Sequence, residues 1–125
     1  MTPVGPKILY IEDNADNRML VRSVLAPAGY VVAEAVDGLS GIEAALREQP
    51  AVILLDINLP GVDGYEVAAI LRSFPHLADT PIVAVTAKAM KGDRERCIEA
   101  GAWDYLSKPV ERELLLSVLR AWLQR

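Results

Sequence analysis

"ILLDINLPGVDG", residues Ile53 to Gly64, runs from an apolar stretch into one carboxylate and then into a loop with a proline and two glycines. With Ala51 and Val52 ahead of it, the run is too short for a helix and apolar at successive positions, as a strand covered on both faces must be. Asp56 ends that strand. A carboxylate away from water is costly unless partnered, so the reading turns on what surrounds it.

Outward from this stretch, further short apolar runs appear: Lys7 to Glu12 (KILYIE), Val31 to Ala35 (VVAEA), Pro81 to Thr86 (PIVAVT) and Trp103 to Ser107 (WDYLS). With Ala51 to Asp56 they make five predicted strands. Between them lie segments of helical period. Leu20, Val21, Val24 and Leu25 form one apolar face; Leu39, Ile42, Ala45 and Leu46 a second; Val67, Ile70 and Leu71 a third. Cys97 with Ile98 suggests a short fourth helix, and Leu115, Val118, Leu119 and Trp122 the last. Asn14 and Asp63 stand where N-caps are wanted, Gly29 and Gly101 where C-caps are. Pro27 should end or kink the first helix.

Five strands alternating with five helices predict one α/β domain over residues 1–125, with about 1–6 as a tail and no room for an effector domain. The sheet is expected to be parallel with helices on both faces. In such a sheet all strand C-termini share one edge, where ligands bind. That edge gathers Glu12 and Asp13, Ala35, Asp56, Thr86, and Ser107 with Lys108.

Thirteen Lys and Arg against 17 Asp and Glu give a net charge of −4, which disfavours nucleic acid and anionic membranes as partners. The most basic stretch, Lys88 to Arg96, is interrupted by Asp93 and Glu95 and reads as a solvated helix start. No run approaches the length of a membrane span and none resembles a signal peptide, so the expected location is cytoplasmic. The single Cys97 excludes a disulfide framework and reads as core filler.

Three carboxylates at one edge repel by roughly 4 kcal/mol per close pair at an effective dielectric of 20. Against them stands one ammonium, Lys108, and the two remaining negative charges are what a divalent cation cancels. Oxygen donors without Cys or His favour Mg²⁺ or Mn²⁺ over Zn²⁺. A carboxylate, a metal and a lysine together suit phosphoryl transfer, with Asp56 as nucleophile and the Thr86 hydroxyl and Lys108 as donors to the phosphoryl oxygens.

"IEDN", "LLDINLPGVDG", "VTA" and "SKP", in this order and spacing, resemble the receiver domains of two-component response regulators. The resemblance covers nearly the whole chain. It is chemotaxis-regulator-like, and the stretch from Val83 to Pro109 is similar to single-domain regulators and to the receivers of hybrid histidine kinases. It implies a flavodoxin-like doubly wound fold, strand order 2-1-3-4-5, acting as a signalling switch that catalyses only its own phosphorylation and slow dephosphorylation. It further implies Asp56 as phosphoacceptor and Asp13 as a direct Mg²⁺ ligand, Mn²⁺ being able to substitute. Glu12, where the family often carries Asp, would act through water, and the Asn58 backbone carbonyl would complete the protein ligands. Thr86 and Lys108 would contact the phosphoryl group, with Asn58 and Lys88 flanking it. Tyr105 would be the switch aromatic, Ala87 would leave the entrance open, and Lys108 to Pro109 would be a cis peptide. The implied partners are a histidine kinase or histidine phosphotransfer protein, and a downstream protein on the face of the fourth helix, fifth strand and fifth helix.

Two other functions use similar parts. A phosphatase of the haloacid dehalogenase type also has a strand-end Asp nucleophile, but needs an acid two residues on, where Asn58 stands. A flavin or nucleotide binder on the same fold needs Gly, Ser and Thr in loops that here carry acids. His76 lies in a polar stretch and reads as solvent-facing, and Trp103 and Trp122 as packing residues.

Overall fold

The computed structural model describes residues 5–87 and 91–124. Met1 to Val4, Lys88 and its two successors, and Arg125 lie outside the described residues, so most of the expected tail and the role expected of Lys88 are not addressed.

Five strands alternate with five helices: β1 (Lys7–Ile11), α1 (Ala15–Leu25), β2 (Val31–Ala35), α2 (Gly38–Glu48), β3 (Val52–Asp56), α3 (Gly64–Ser73), β4 (Ile82–Thr86), α4 (Asp93–Ala100), β5 (Asp104–Ser107) and α5 (Arg112–Leu123). A 3₁₀ turn over Pro75–Leu77 follows α3. All pairings are parallel, in the order β2-β1-β3-β4-β5. The order reverses between β1 and β3, and the crevice for ligands in such sheets lies beyond the strand ends at that reversal.

Every residue of β3 and β4 is buried, as continuous apolar runs require. Two cores result. One holds Leu9, Ile53, Leu55, Val67 and Leu71; the other holds Ile8, Leu54, Val83, Leu115 and Leu119 on the opposite face.

Helix boundaries follow their signals. Asn14 accepts from the Asn17 amide and Asp63 from the Tyr65 amide. The first helix ends at Leu25, two residues ahead of Pro27. Gly101 caps α4 at φ 124°. Gly29, expected as a helix cap, instead closes the turn that follows Ala26, at φ 97°.

The predicted apolar faces need correction. Leu39 and Leu46 of α2 are exposed, as are Leu20, Ile70 and Ile98. On α2 the buried residues are Gly38, Gly41, Ala44 and Ala45. A Cβ at Gly41 would lie 2.6 Å from Ile11 Cδ1, so the helix sits too close to β1 for large side chains, which turn outward. His76 is exposed within the 3₁₀ turn, and Cys97 is buried.

Candidate functional site

β1 and β3 end side by side, and their last residues carry the acids across the edge. Glu12, Asp13 and Asp56 each place a carboxylate oxygen within 4.8 Å of the others. Glu12 and Asp56 are buried, at 0% and 1% exposure, while Asp13 faces solvent. Lys108, at the end of β5, reaches across to them: its Nζ lies 2.7 Å from Glu12 Oε1 and 3.2 Å from Asp56 Oδ2. The Lys108–Pro109 peptide is cis.

The loop after Asp56 is shaped by its own side chain. Asp56 Oδ1 accepts from the Asn58 amide at 2.9 Å, folding residues 57 and 58 back over the strand end. Gly64 then has to be glycine: a Cβ there would meet the Ile57 carbonyl oxygen at 2.4 Å. That close approach lets α3 start directly beneath the carboxylate.

Burial pushes the Asp56 carboxyl up to about 6, and Glu12 beside it adds to the rise. Burial opposes ionisation of Glu12 too, but its hydrogen bonds with Asp56, Lys108 and Asn17 prevail and hold it well below the usual carboxylate range. For Lys108, burial works against the charge and the two acids overcome it, so its pKa is raised. Lys108 stays an ammonium, and a cation held by the buried acids would favour their ionised forms and oppose the rise at Asp56.

A raised carboxyl contributes stability that is fully present below its unfolded value and is lost as pH rises through the folded one, here about 6. Glu12 has the opposite sign, losing its contribution only in stronger acid. Chelator-treated protein should therefore lose stability at this site between about pH 4 and about pH 7, because the carboxyl of the unfolded chain, with a pKa near 4, ionises ahead of the folded one. Asp56→Asn, having no proton to lose, should gain several degrees in melting temperature on the wild type as pH rises across that range. A gap constant with pH in paired thermal scans would refute the raised carboxyl.

Thr86 ends β4 beside the loop. Its hydroxyl donates to Asn58 Oδ1 at 3.2 Å, and the Ala87 amide donates to the same oxygen at 3.1 Å. An amide side chain cannot serve as a general acid, so the phosphatase alternative lacks its second acid and has no support here. The flavin or nucleotide alternative fares no better, since the crevice is lined with carboxylates.

Tyr105 on β5 is half-buried, and its hydroxyl donates to Asp93 Oδ2 at 3.3 Å. Tyr65 of α3 donates to the other oxygen, Asp93 Oδ1, at 2.6 Å. Arg96 lies 4.3 Å from the centroid of the Tyr65 ring. A single carboxylate at the first residue of α4, 9% exposed, thus ties α3, α4 and β5 together. Sequence reasoning found Tyr105 but neither Asp93 nor Tyr65. Arg18 was also missed: its Nη1 donates to the Glu12 and Asp13 carbonyls at 2.9 Å each, and its Nε lies 3.2 Å from Glu34 Oε1. It braces the backbone that presents the two acids.

The donor set tests well for a hard divalent cation. It is all oxygen, two of its three carboxylates are buried, and one ammonium leaves two negative charges uncancelled. Among the described residues no helix is long and apolar enough to cross a membrane.

Comparison with known proteins agrees with this geometry. The model of the response regulator receiver domain family matches residues 8–120. The transcriptional regulatory protein HprR of Escherichia coli is 41% identical over 119 residues, 95% of this chain but 52% of the relative. The regulator RpaA of Synechocystis is 42% identical and is likewise covered to 50%. The chain therefore spans about half the length of these curated relatives. The polar-differentiation regulator DivK of Brucella anthropi is 36% identical, with 93% of this chain and 94% of DivK covered. Among solved structures, the receiver domain of the Pseudomonas aeruginosa sensor kinase PA1611, with magnesium coordinated in its active-site cleft, matches at TM-score 0.90 and 38% identity, over 98% of this chain and 100% of that one. The chemotaxis regulator CheY4 of Vibrio cholerae matches at TM-score 0.89 and 30% identity, over 96% and 100%. With the family model matched over residues 8–120 and solved receiver domains superposing on nearly the whole chain, the chain belongs to the response regulator receiver family of two-component signalling.

Proposed function

We propose that Asp56 is the phosphoacceptor of a switch loaded from phosphohistidine. The observation that carries this is the placement of one buried carboxylate beside two others and 3.2 Å from an ammonium. A carboxylate oxygen of Asp56 attacks phosphorus, the O–P bond forms as the N–P bond to the donor imidazole breaks, and the imidazole nitrogen keeps the electron pair. Water later attacks the acyl phosphate, releasing phosphate and restoring the carboxylate.

Asp13 and Asp56 would hold Mg²⁺ directly with the Asn58 backbone carbonyl, Glu12 would hold it through water, and Mn²⁺ would substitute. The bound cation supplies charge cancellation and polarises the phosphoryl oxygens. Lys108 stands where a phosphoryl group on Asp56 would meet it. The Thr86 hydroxyl, now on Asn58 Oδ1, can turn to a phosphoryl oxygen. An acyl phosphate carries about one more negative charge than the carboxylate it replaces, so donors are drawn toward it.

The readout is a population shift of the face formed by α4, β5 and α5, with Tyr105 moving as Thr86 moves. A histidine kinase or phosphotransfer protein loads the domain in the cytoplasm, and a protein partner reads that face. Single-domain DivK and the kinase-borne PA1611 receiver make both a free-standing and a kinase-linked role consistent with the sequence.

Thr86→Ala should still accept phosphate from a small acyl phosphate, because Asp56 and the acid cluster are untouched. It should lose most of the difference in partner affinity between the phosphorylated and free forms, because Thr86 is the contact that distinguishes them. Titration of a partner peptide against both forms checks this. Full discrimination by the variant would remove Thr86 from the switch.

A further inference from the structure

Glu12 stands where the longer of the two acidic side chains must be folded into a fully buried position, and its two oxygens are treated differently. Three donors meet on Oε1: the Tyr10 hydroxyl at 3.1 Å, the Asn17 side-chain amide at 2.9 Å and Lys108 Nζ at 2.7 Å. Oε2 has the Asn14 backbone amide at 3.5 Å. Tyr10 and Glu12 lie two residues apart at the end of β1 and so share a face of the sheet, while Asn17 comes from the first turns of α1. Tyr10 is wholly buried, and no part of the expected phosphoryl chemistry uses its hydroxyl.

We infer that Tyr10 and Asn17 are positioning residues for the cation site: by occupying Oε1 together with Lys108 they fix the Glu12 carboxylate within the cluster it forms with Asp13 and Asp56. This rests on the reading of the acid cluster as an Mg²⁺ site. Three donors are as many as one carboxylate oxygen accommodates well, so Oε1 is withdrawn from the cation and from water. The direction of Oε2 then follows from the plane of the carboxylate. A shorter Asp would retract its oxygens by about 1.5 Å, out of hydrogen-bonding range of both donors. The Tyr10 hydroxyl and the Asn17 amide are therefore matched to Glu in particular. Partners that orient a ligand are worth about tenfold or more in metal affinity, and each of these two donors holds only part of that orientation.

The test is calorimetric titration of Mg²⁺ into the wild type, Tyr10→Phe, Asn17→Ala, Glu12→Asp and the double variant Glu12→Asp with Tyr10→Phe. Thermal unfolding of the chelator-treated proteins runs alongside. Tyr10→Phe keeps the buried ring and Asn17→Ala suits a helix, so both should fold. Each should weaken Mg²⁺ binding by roughly three- to tenfold, whereas adding Tyr10→Phe to Glu12→Asp should change it less than about twofold. Unchanged Mg²⁺ affinity in both single variants, with or without a shift in melting temperature, overturns the inference. An equal effect of Tyr10→Phe in the wild type and in the Glu12→Asp background also overturns it, since the hydroxyl would then act by another route. Wild type that binds no Mg²⁺ overturns the underlying site reading instead, which separates the two failures.

Discussion

Asp56→Asn should reduce Mg²⁺-dependent phosphoryl incorporation by a factor on the order of 10³ or more, while the protein stays folded. The substitution is nearly isosteric. The Asn oxygen can keep the bond from the Asn58 amide, and Lys108 keeps its shorter contact at 2.7 Å with Glu12. What disappears is the nucleophile, because an uncharged amide oxygen is far too weak a nucleophile to displace an imidazole from phosphorus. Asp13 is a neighbouring carboxylate, but it is exposed, whereas Asp56 is buried with Lys108 Nζ at 3.2 Å. Labelling with a radioactive small acyl phosphate, and with a phosphorylated histidine kinase, reads the effect directly. Chelation of Mg²⁺ should abolish labelling of the wild type as well. Labelling of Asp56→Asn at the wild-type level would transfer the acceptor role to another carboxylate and end this reading of the site.

The two reporters at Asp56 are independent. Stability in chelator reads the proton held by the buried acids, and labelling reads the nucleophile. The first can succeed with the second failing, in which case the cluster is an acidic core feature that no phosphodonor reaches. Both succeeding ties the raised carboxyl to its use: near pH 6 and below, a cation that competes with the proton would leave Asp56 ionised and ready to attack.

Much of this was legible in the sequence because parallel sheets make strand ends converge. Glu12, Asp13, Asp56, Thr86 and Lys108 could be placed on one edge without coordinates, since each closes or follows a short apolar run. The helices were harder. Periodicity counts apolar residues, but the spacing between α2 and β1 is set by what is absent, the missing Cβ of Gly41 over Ile11. Leu39 and Leu46 look like the core face and are not. The Tyr10 hydroxyl on Glu12 was open to a period-2 reading of β1, yet a tyrosine in an apolar strand reads first as filler. Asp93 was beyond reach. Its partners Tyr65 and Tyr105 lie 28 and 12 residues away on other elements, a separation no spacing rule covers.

Arg72 was invisible for the same reason and carries the largest expected stability effect. It leaves the last turn of α3 and ends among backbone carbonyls. Nη1 donates to Leu77, Ala78 and Thr80 at 2.8, 3.2 and 3.0 Å, and Nε and Nη2 both donate to Gly101 at 3.2 and 2.9 Å. The guanidinium also sits 5.1 Å from the centroid of Trp103, whose ring packs on Trp122 at 5.4 Å. One side chain thus joins the end of α3, the 3₁₀ turn and the C-cap of α4, just ahead of β4 and β5. Arg72→Met keeps the stem and removes every donor. Each lost charge-assisted bond is worth about 1 kcal/mol or more where water cannot replace it, and partial exposure lets water replace some. The expected loss is about 3 kcal/mol, with a fall in melting temperature of roughly 10 °C. Arg72→Lys should recover only part of this, since a point charge cannot span the fork. These residues lie at the edge of the sheet opposite Asp56, so Mg²⁺-dependent labelling well below the melting temperature should match the wild type. Denaturant unfolding within about 0.5 kcal/mol of the wild type would show that the carbonyls need no clasp. Loss of labelling in protein shown to be folded would mean that the two edges of the sheet are coupled.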